Sequence, residues 1–131
     1  MIAVGHSGGA ATVGMLLGMQ PDLLHGVVLV SCLCNLDQWR RSGNRRPWSR
    51  SQSPSRWVKD VPITSDVVVV TGSKDNNTRP VLAQDYVKTL QARGVRAQYV
   101  GMAGATHNSA LRSPEVMEAI EGLLRMRAKG W

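Results

Sequence analysis

The chain has 131 residues, enough for one domain with a buried core, and its 43% apolar and 19% charged residues are ordinary for a folded globular protein. No apolar run reaches the length of a membrane span, about 20 residues, and the N-terminus lacks the basic-then-apolar pattern of a secretory leader, which favours the cytoplasm. The net charge of +7 is gathered in one window, where Arg40, Arg41, Arg45, Arg46, Arg50, Arg56 and Lys59 interleave with Trp39, Trp48 and Trp57. Such mixtures can bind single-stranded nucleic acid, but this one has no repeat, strand alternation or recognition motif, so a solvated lid is the favoured reading.

The chain opens on a short apolar strand from Ile2 that turns abruptly at Gly5-His6-Ser7-Gly8-Gly9, a G-x-S-x-G pattern. A serine on so tight a strand-to-helix turn is held in strained backbone geometry. Gly5 and Gly9 are expected to omit Cβ atoms that would strike the neighbouring strand and helix. The turn lifts the Ser7 hydroxyl above the sheet edge and aims the first helical N–H groups at whatever it attacks. Ala10 to Met19 follows as a helix apolar nearly all round, as for a helix buried beneath a sheet, with Gly18 and Pro21 marking its end. Val27-Val28-Leu29-Val30 reads as a strand covered on both faces, which points to a parallel sheet. Cys32 and Cys34 lie just beyond it. Neighbours so close on an extended chain rarely form a relaxed disulfide, so buried thiols are the expectation.

Regular structure fades from Leu33 to Pro62, and 33–62 is expected to be a lid or cap with at most a short helix. Its tryptophans need apolar surroundings, which argues against disorder. Asp66 to Thr71 restores a buried strand, stopped by Gly72. The next helix is expected to start with Thr78 as N-cap and Pro80 in its first turn, and to bury Leu82, Ala83, Tyr86, Val87 and Leu90 on one stripe before Gly94 ends it. Arg96 to Met102 is a further strand, followed by a loop containing Gly104 and His107. Ser113-Pro114-Glu115 starts the last helix, with Val116, Ile120, Leu123 and Leu124 as its apolar face and Arg125, Arg127 and Lys129 complementing its dipole. Strands alternating with helices in this way make an α/β fold with a parallel sheet and helices on both faces.

In open parallel sheets, chemistry gathers at the carboxyl ends of the strands. Ser7, Asp75 and His107 all fall at that edge. Histidine can take a serine proton near neutral pH, and a carboxylate can fix its tautomer. By chance, G-x-S-x-G occurs in roughly one chain in twenty to thirty of this length; the acid and histidine after later strands, in the order Ser, Asp, His, make coincidence much less plausible. Asp66 is a competing acid, but it precedes its strand and belongs to the opposite edge. His6 lies in the turn and His25 before a strand. Cys32 and Cys34 could be rival nucleophiles, but no glycine turn presents them. The scattered histidines and paired cysteines form no recognisable metal-ligand spacing, and no metal or cofactor is expected.

Three stretches, Gly5-His6-Ser7-Gly8-Gly9, Val69-Val70-Thr71-Gly72-Ser73-Lys74-Asp75 and Gly104-Ala105-Thr106-His107-Asn108, resemble the C-terminal half of an α/β-hydrolase. The surroundings of Asp75 and His107 are also similar to the prolyl-oligopeptidase and dienelactone-hydrolase branches. The resemblance implies a serine hydrolase acting on an ester, amide or peptide bond of a small-molecule or peptide substrate. It makes Ser7 the nucleophile, His107 the general base and Asp75 its orienting acid, with the Gly8 amide as one oxyanion donor. Members of the superfamily carry further strands before the serine and a loop there that gives the second donor, and nothing in this sequence supplies that loop. The strand bearing Ser7 would then be a bare sheet edge, open to self-association. The alternative is a noncatalytic remnant or interaction module that keeps the motifs without a complete site.

Overall fold

The computed structural model describes residues 1–43 and 52–130. Arg45, Arg46, Trp48 and Arg50 of the basic window lie outside the described residues, as do the side chains of Arg127 and Lys129. Four parallel strands form one sheet in sequence order: β1 (Ile2–His6), β2 (Gly26–Val30), β3 (Asp66–Gly72) and β4 (Arg96–Met102). Between and after them run α1 (Gly8–Met19), α2 (Leu36–Ser42), a 3₁₀ helix at Pro54–Asp60, α3 (Pro80–Ala92), a 3₁₀ turn at Ser109–Arg112 and α4 (Pro114–Gly130).

Every residue of β2 and β3 is buried, as their unbroken valine runs require. Because successive side chains point to opposite faces, the same strands feed two cores. Val27, Leu29, Val67 and Val69 pack with Leu17 of α1 and Ala83, Tyr86, Val87 and Leu90 of α3. Val28, Val30, Val68 and Val70 pack on the other face with Val116 and Leu123 of α4. The outer strands are less covered. β1 is an edge, with Val4 42% exposed.

The α3 terminus forms as its sequence dictates. Gly94 takes φ +87, its N–H donates to the Gln91 carbonyl, and the Val95 N–H reaches the Leu90 carbonyl, which together satisfy the last turn. At the other end the expectation fails. Arg79, not Thr78, occupies the N-cap of α3, because the Thr78 hydroxyl is engaged elsewhere.

Three further expectations are corrected. α1 is covered on one side only: Ala10, Ala11, Gly14, Leu17 and Gly18 are buried, whereas Thr12 and Met19 are exposed, because its strand lies at the sheet edge. Leu124 is 51% exposed; rotated one residue past Leu123, it leaves the face that meets the sheet. Cys32 and Cys34 are joined in a disulfide, with Cα atoms 5.1 Å apart. An extended chain would hold them roughly 6.6 Å apart, but β2 ends at Val30 and Ser31 turns the chain with φ 52.

Within 33–62, α2 and the 3₁₀ helix are linked by a two-pronged Arg56–Asp37 ion pair, Nη2–Oδ1 2.8 Å and Nε–Oδ2 3.1 Å. The 3₁₀ helix also packs on α1, and Gly18 makes that contact possible rather than ending the helix. A Cβ at Gly18 would lie 2.7 Å from both the Trp57 carbonyl oxygen and its Cβ. Gly18→Ala would gain about 1 kcal/mol of helix propensity but overpack against fixed backbone at a cost of about 1–3 kcal/mol. The clash is expected to win. Urea unfolding should show a net loss of stability, whereas an uncrowded site would show a gain.

Candidate active site

All four strands run the same way, so their carboxyl ends share one edge. Ser7 follows β1 directly, and its N–H donates to the Val30 carbonyl at 2.9 Å, which fastens the turn to β2. Ser7 has φ 55 and ψ −117, a conformation costly for any residue with a Cβ. The chain can fold back so sharply because Gly5 lets α1 close over β1: a Cβ there would stand 2.5 Å from the Gly9 carbonyl oxygen and 2.7 Å from Ala10 Cα. Gly9 has no such duty, since a Cβ built on it meets nothing within 4 Å, contrary to the sequence expectation. The first intrahelical bond of α1 runs from the Ala11 N–H to the Ser7 carbonyl, 3.2 Å. The Gly8 N–H therefore lies at the positive end of the helix, ahead of that first bond.

Asp75 and His107 are brought together by two loops pinned to each other. The Ser73 N–H donates to the Met102 carbonyl and the Lys74 N–H to the Ala105 carbonyl, both at 2.9 Å, while the Gly104 N–H donates to Ser73 Oγ at 2.8 Å. Gly72 permits this approach, because a Cβ there would fall 2.1 Å from the Ala105 carbonyl oxygen. Reciprocal bonds between Thr106 and Ser109, with the Ser109 hydroxyl 2.8 Å from the Thr106 N–H, then close a small turn around His107.

The three sequence-predicted side chains meet. Ser7 Oγ lies 2.8 Å from His107 Nε2, and His107 Nδ1 lies 2.9 Å from Asp75 Oδ2. The Asp75 side chain has no exposed surface, whereas that of His107 is 18% exposed. A buried carboxylate needs its lone pairs filled, and those of Asp75 are. Oδ1 accepts the N–H groups of Asn77 at 2.9 Å and Thr78 at 2.7 Å; Oδ2 accepts the Thr78 hydroxyl at 2.7 Å besides facing His107. The two ring nitrogens of His107 thus face different partners, Nδ1 the Asp75 carboxyl and Nε2 the Ser7 hydroxyl. The same carboxyl therefore both closes its own turn and faces the His107 ring.

The competing acid is elsewhere. Asp66, at the opposite end of β3, is bound by Arg96 through Nε–Oδ1 at 2.7 Å and Nη2–Oδ2 at 3.2 Å. The cysteines, being disulfide-bonded, offer no thiol.

Other groups were hidden from sequence reasoning. Thr78 Oγ1 is 3.1 Å from His107 Nδ1 as well as bonded to Asp75; its position two residues before Pro80 suggests only a cap. His6 and His107, far apart in sequence, have ring centroids 5.4 Å apart, and His6 Nε2 lies 2.9 Å from the His107 carbonyl oxygen. The Ser31 hydroxyl donates to that same oxygen at 3.0 Å. From 33–62, the Trp39 indole N–H reaches the Asn77 carbonyl at 3.0 Å, two residues from Asp75.

The sequence profile of the prolyl oligopeptidase family matches residues 1–124. The chain belongs to that family. Among solved structures it is similar to a protein of unknown function from Agrobacterium tumefaciens (TM-score 0.63, 23% identity, 95% of this chain and 50% of the other). It is similar also to acylaminoacyl peptidase from Pyrococcus horikoshii (TM-score 0.71, 12% identity, 86% and 20%). A third neighbour is a protein assigned as a dienelactone hydrolase from Klebsiella pneumoniae (TM-score 0.66, 18% identity, 97% and 50%). No curated protein sequence matches. The chain thus spans about half the length of two of these neighbours and a fifth of the peptidase. As a member of this family of serine hydrolases, it presents the C-terminal portion of an α/β-hydrolase fold.

Replacing Thr78 by valine keeps its shape and removes one of the donors to the buried Asp75 carboxylate. A hydrogen bond to a charged group is worth about 1.5–3 kcal/mol. Thr78→Val should lower the free energy of unfolding by about that amount in urea titration; an unchanged midpoint would mean that the remaining donors fully compensate.

Proposed function

We propose that this chain acts as a serine hydrolase on an ester, amide or peptide bond, through an acyl-enzyme on Ser7. The observation that carries this reading is the unbroken chain from Ser7 Oγ through the His107 ring to Asp75, at 2.8 and 2.9 Å. The relatives' range supports the substrate class, since the solved neighbours include an esterase and acylaminoacyl peptidases.

In this reading Ser7 Oγ attacks the substrate carbonyl carbon while His107 Nε2 takes the hydroxyl proton. Asp75 holds the Nδ1 proton in place and stabilises the imidazolium that forms. The tetrahedral oxyanion is received by the Gly8 N–H, aided by the positive end of α1. His107 then returns the proton to the leaving alcohol or amine, and the carbon–leaving-group bond breaks. A water molecule, deprotonated by the same nitrogen, attacks the acyl-enzyme; collapse of the second tetrahedral intermediate frees the acid and restores Ser7. No metal or cofactor enters these steps. The described parts of 33–62 serve as a lid over the acid loop, a role supported by the Trp39–Asn77 hydrogen bond and by the packing of the 3₁₀ helix on α1; residues 44–51 of that stretch lie outside the described residues.

Gly8 is one oxyanion donor, and removing one of a pair costs about 10²–10³ in rate. Covalent labelling, which scores a single event per chain, is therefore the sensitive assay. A fluorophosphonate probe should label the wild type, Ser7→Ala should abolish labelling, and His107→Ala should slow it by about 10⁴-fold or more. Labelling that survives Ser7→Ala would assign the reactivity to another residue. A wild type that never labels would sink the catalytic reading and leave a noncatalytic member of the family.

A further inference from the structure

Among the described residues, two that are not glycine take positive φ: Ser7 at 55 and Ser31 at 52. They occupy matching places. His6 and Val30 are paired at the ends of β1 and β2, and each serine is the next residue, its N–H donating at 2.9 Å to the neighbouring strand, Ser7 to Val30 and Ser31 to Val70. Both hydroxyls meet His107, Ser7 at ring Nε2 and Ser31 at the main-chain carbonyl.

The sheet explains why that carbonyl needs holding. His107 sits on the loop after β4, yet its ring must serve a serine on β1, three strands away. At ordinary strand spacing that is a reach of about 14 Å. Asp75 and Thr78 hold the ring from the β3 side. The far end of the loop is held at the His107 carbonyl, which accepts from Ser31 Oγ at 3.0 Å and faces His6 Nε2 at 2.9 Å. Ser31 has no exposed surface. Its left-handed backbone is unfavourable for any side chain, and glycine would relieve it. What glycine lacks is the hydroxyl.

We infer that Ser31 is a positioning residue: with His6 it anchors the main chain of His107 so that Nε2 stays within reach of the Ser7 hydroxyl. The inference rests on the reading of His107 as the base, but its test does not depend on turnover alone. Ser31→Gly removes the hydroxyl and relieves the backbone; Ser31→Ala removes the hydroxyl and keeps the unfavourable φ. Ser31→Gly should therefore have the higher Tm of the two. Both should lower the maximal rate of fluorophosphonate labelling by about ten- to a hundredfold, with little change in the probe concentration giving half that rate. A merely structural role would make labelling follow Tm, with Ser31→Gly close to the wild type, and that result would overturn the inference.

The second readout is the ring Cε1–H resonance of His107 in the full chain labelled with ¹³C-histidine. It should move and broaden in both variants as the ring leaves its single position. If the wild type is not labelled at all, Ser7 fails as nucleophile, and the resonance alone decides the positioning role. A shift in both variants upholds it, and an unaltered peak overturns it. Should Ser31→Gly fail to fold, Ser31→Ala gives the same two readouts against the wild type.

Discussion

The parallel pairing of β2 with β3 is the constraint on which everything else depends. Val27 to Val30 lie beside Val67 to Val70, buried on both faces. Parallel strands cannot be joined by tight turns, so each connection must cross over the sheet and return. The crossovers supply the covering helices, and the shared direction delivers every strand's carboxyl end to one edge. Ser7, Ser31, Asp75 and His107 meet there because each follows a strand that ends at that edge.

From that edge outward, the arrangement is governed by satisfying buried polar groups. The Asp75 side chain has no exposed surface, so its oxygens are met by two backbone N–H groups, the Thr78 hydroxyl and the His107 ring. These contacts demand that the β3 and β4 loops touch, which in turn demands a residue without a side chain at Gly72. The site is therefore built by backbone proximity first, with side chains filling the geometry that results.

The α/β fold is legible in the sequence, and so are the three candidate side chains that meet at one edge, because each leaves a local signature. Valine runs of strand length mark buried strands, glycines flank Ser7, and Asp75 and His107 follow later strands in turn-rich stretches. What escaped was non-local. Nothing around Thr78 announces that its hydroxyl faces Asp75 rather than capping α3, and no spacing reveals that His6 and Ser31 converge on one carbonyl from different strands. Gly18 looks like a helix end because its partner, Trp57, is far along the chain. The cysteine pairing escapes for a related reason. The extended-chain premise held only up to Val30, and the positive φ of Ser31 that brings the sulfurs together has no marker in a serine. Leu124 shows the limit of periodicity, since a four-residue stripe on a single-sided helix includes one position too many.

The edge positions of β1 and β4 govern how the site would come apart. The four strands do not share one protection against hydrogen exchange: β3 is bonded on both sides and wholly buried, while β1 and β4 are each bonded on one side alone and only partly buried. Local opening begins where burial and bonding are least. Ser7 after β1 and His107 after β4 would therefore part from Asp75 in brief excursions that leave β2 and β3 in place, so the fraction of chains with a complete site is set by the fraying of the two outer strands rather than by the stability of the fold.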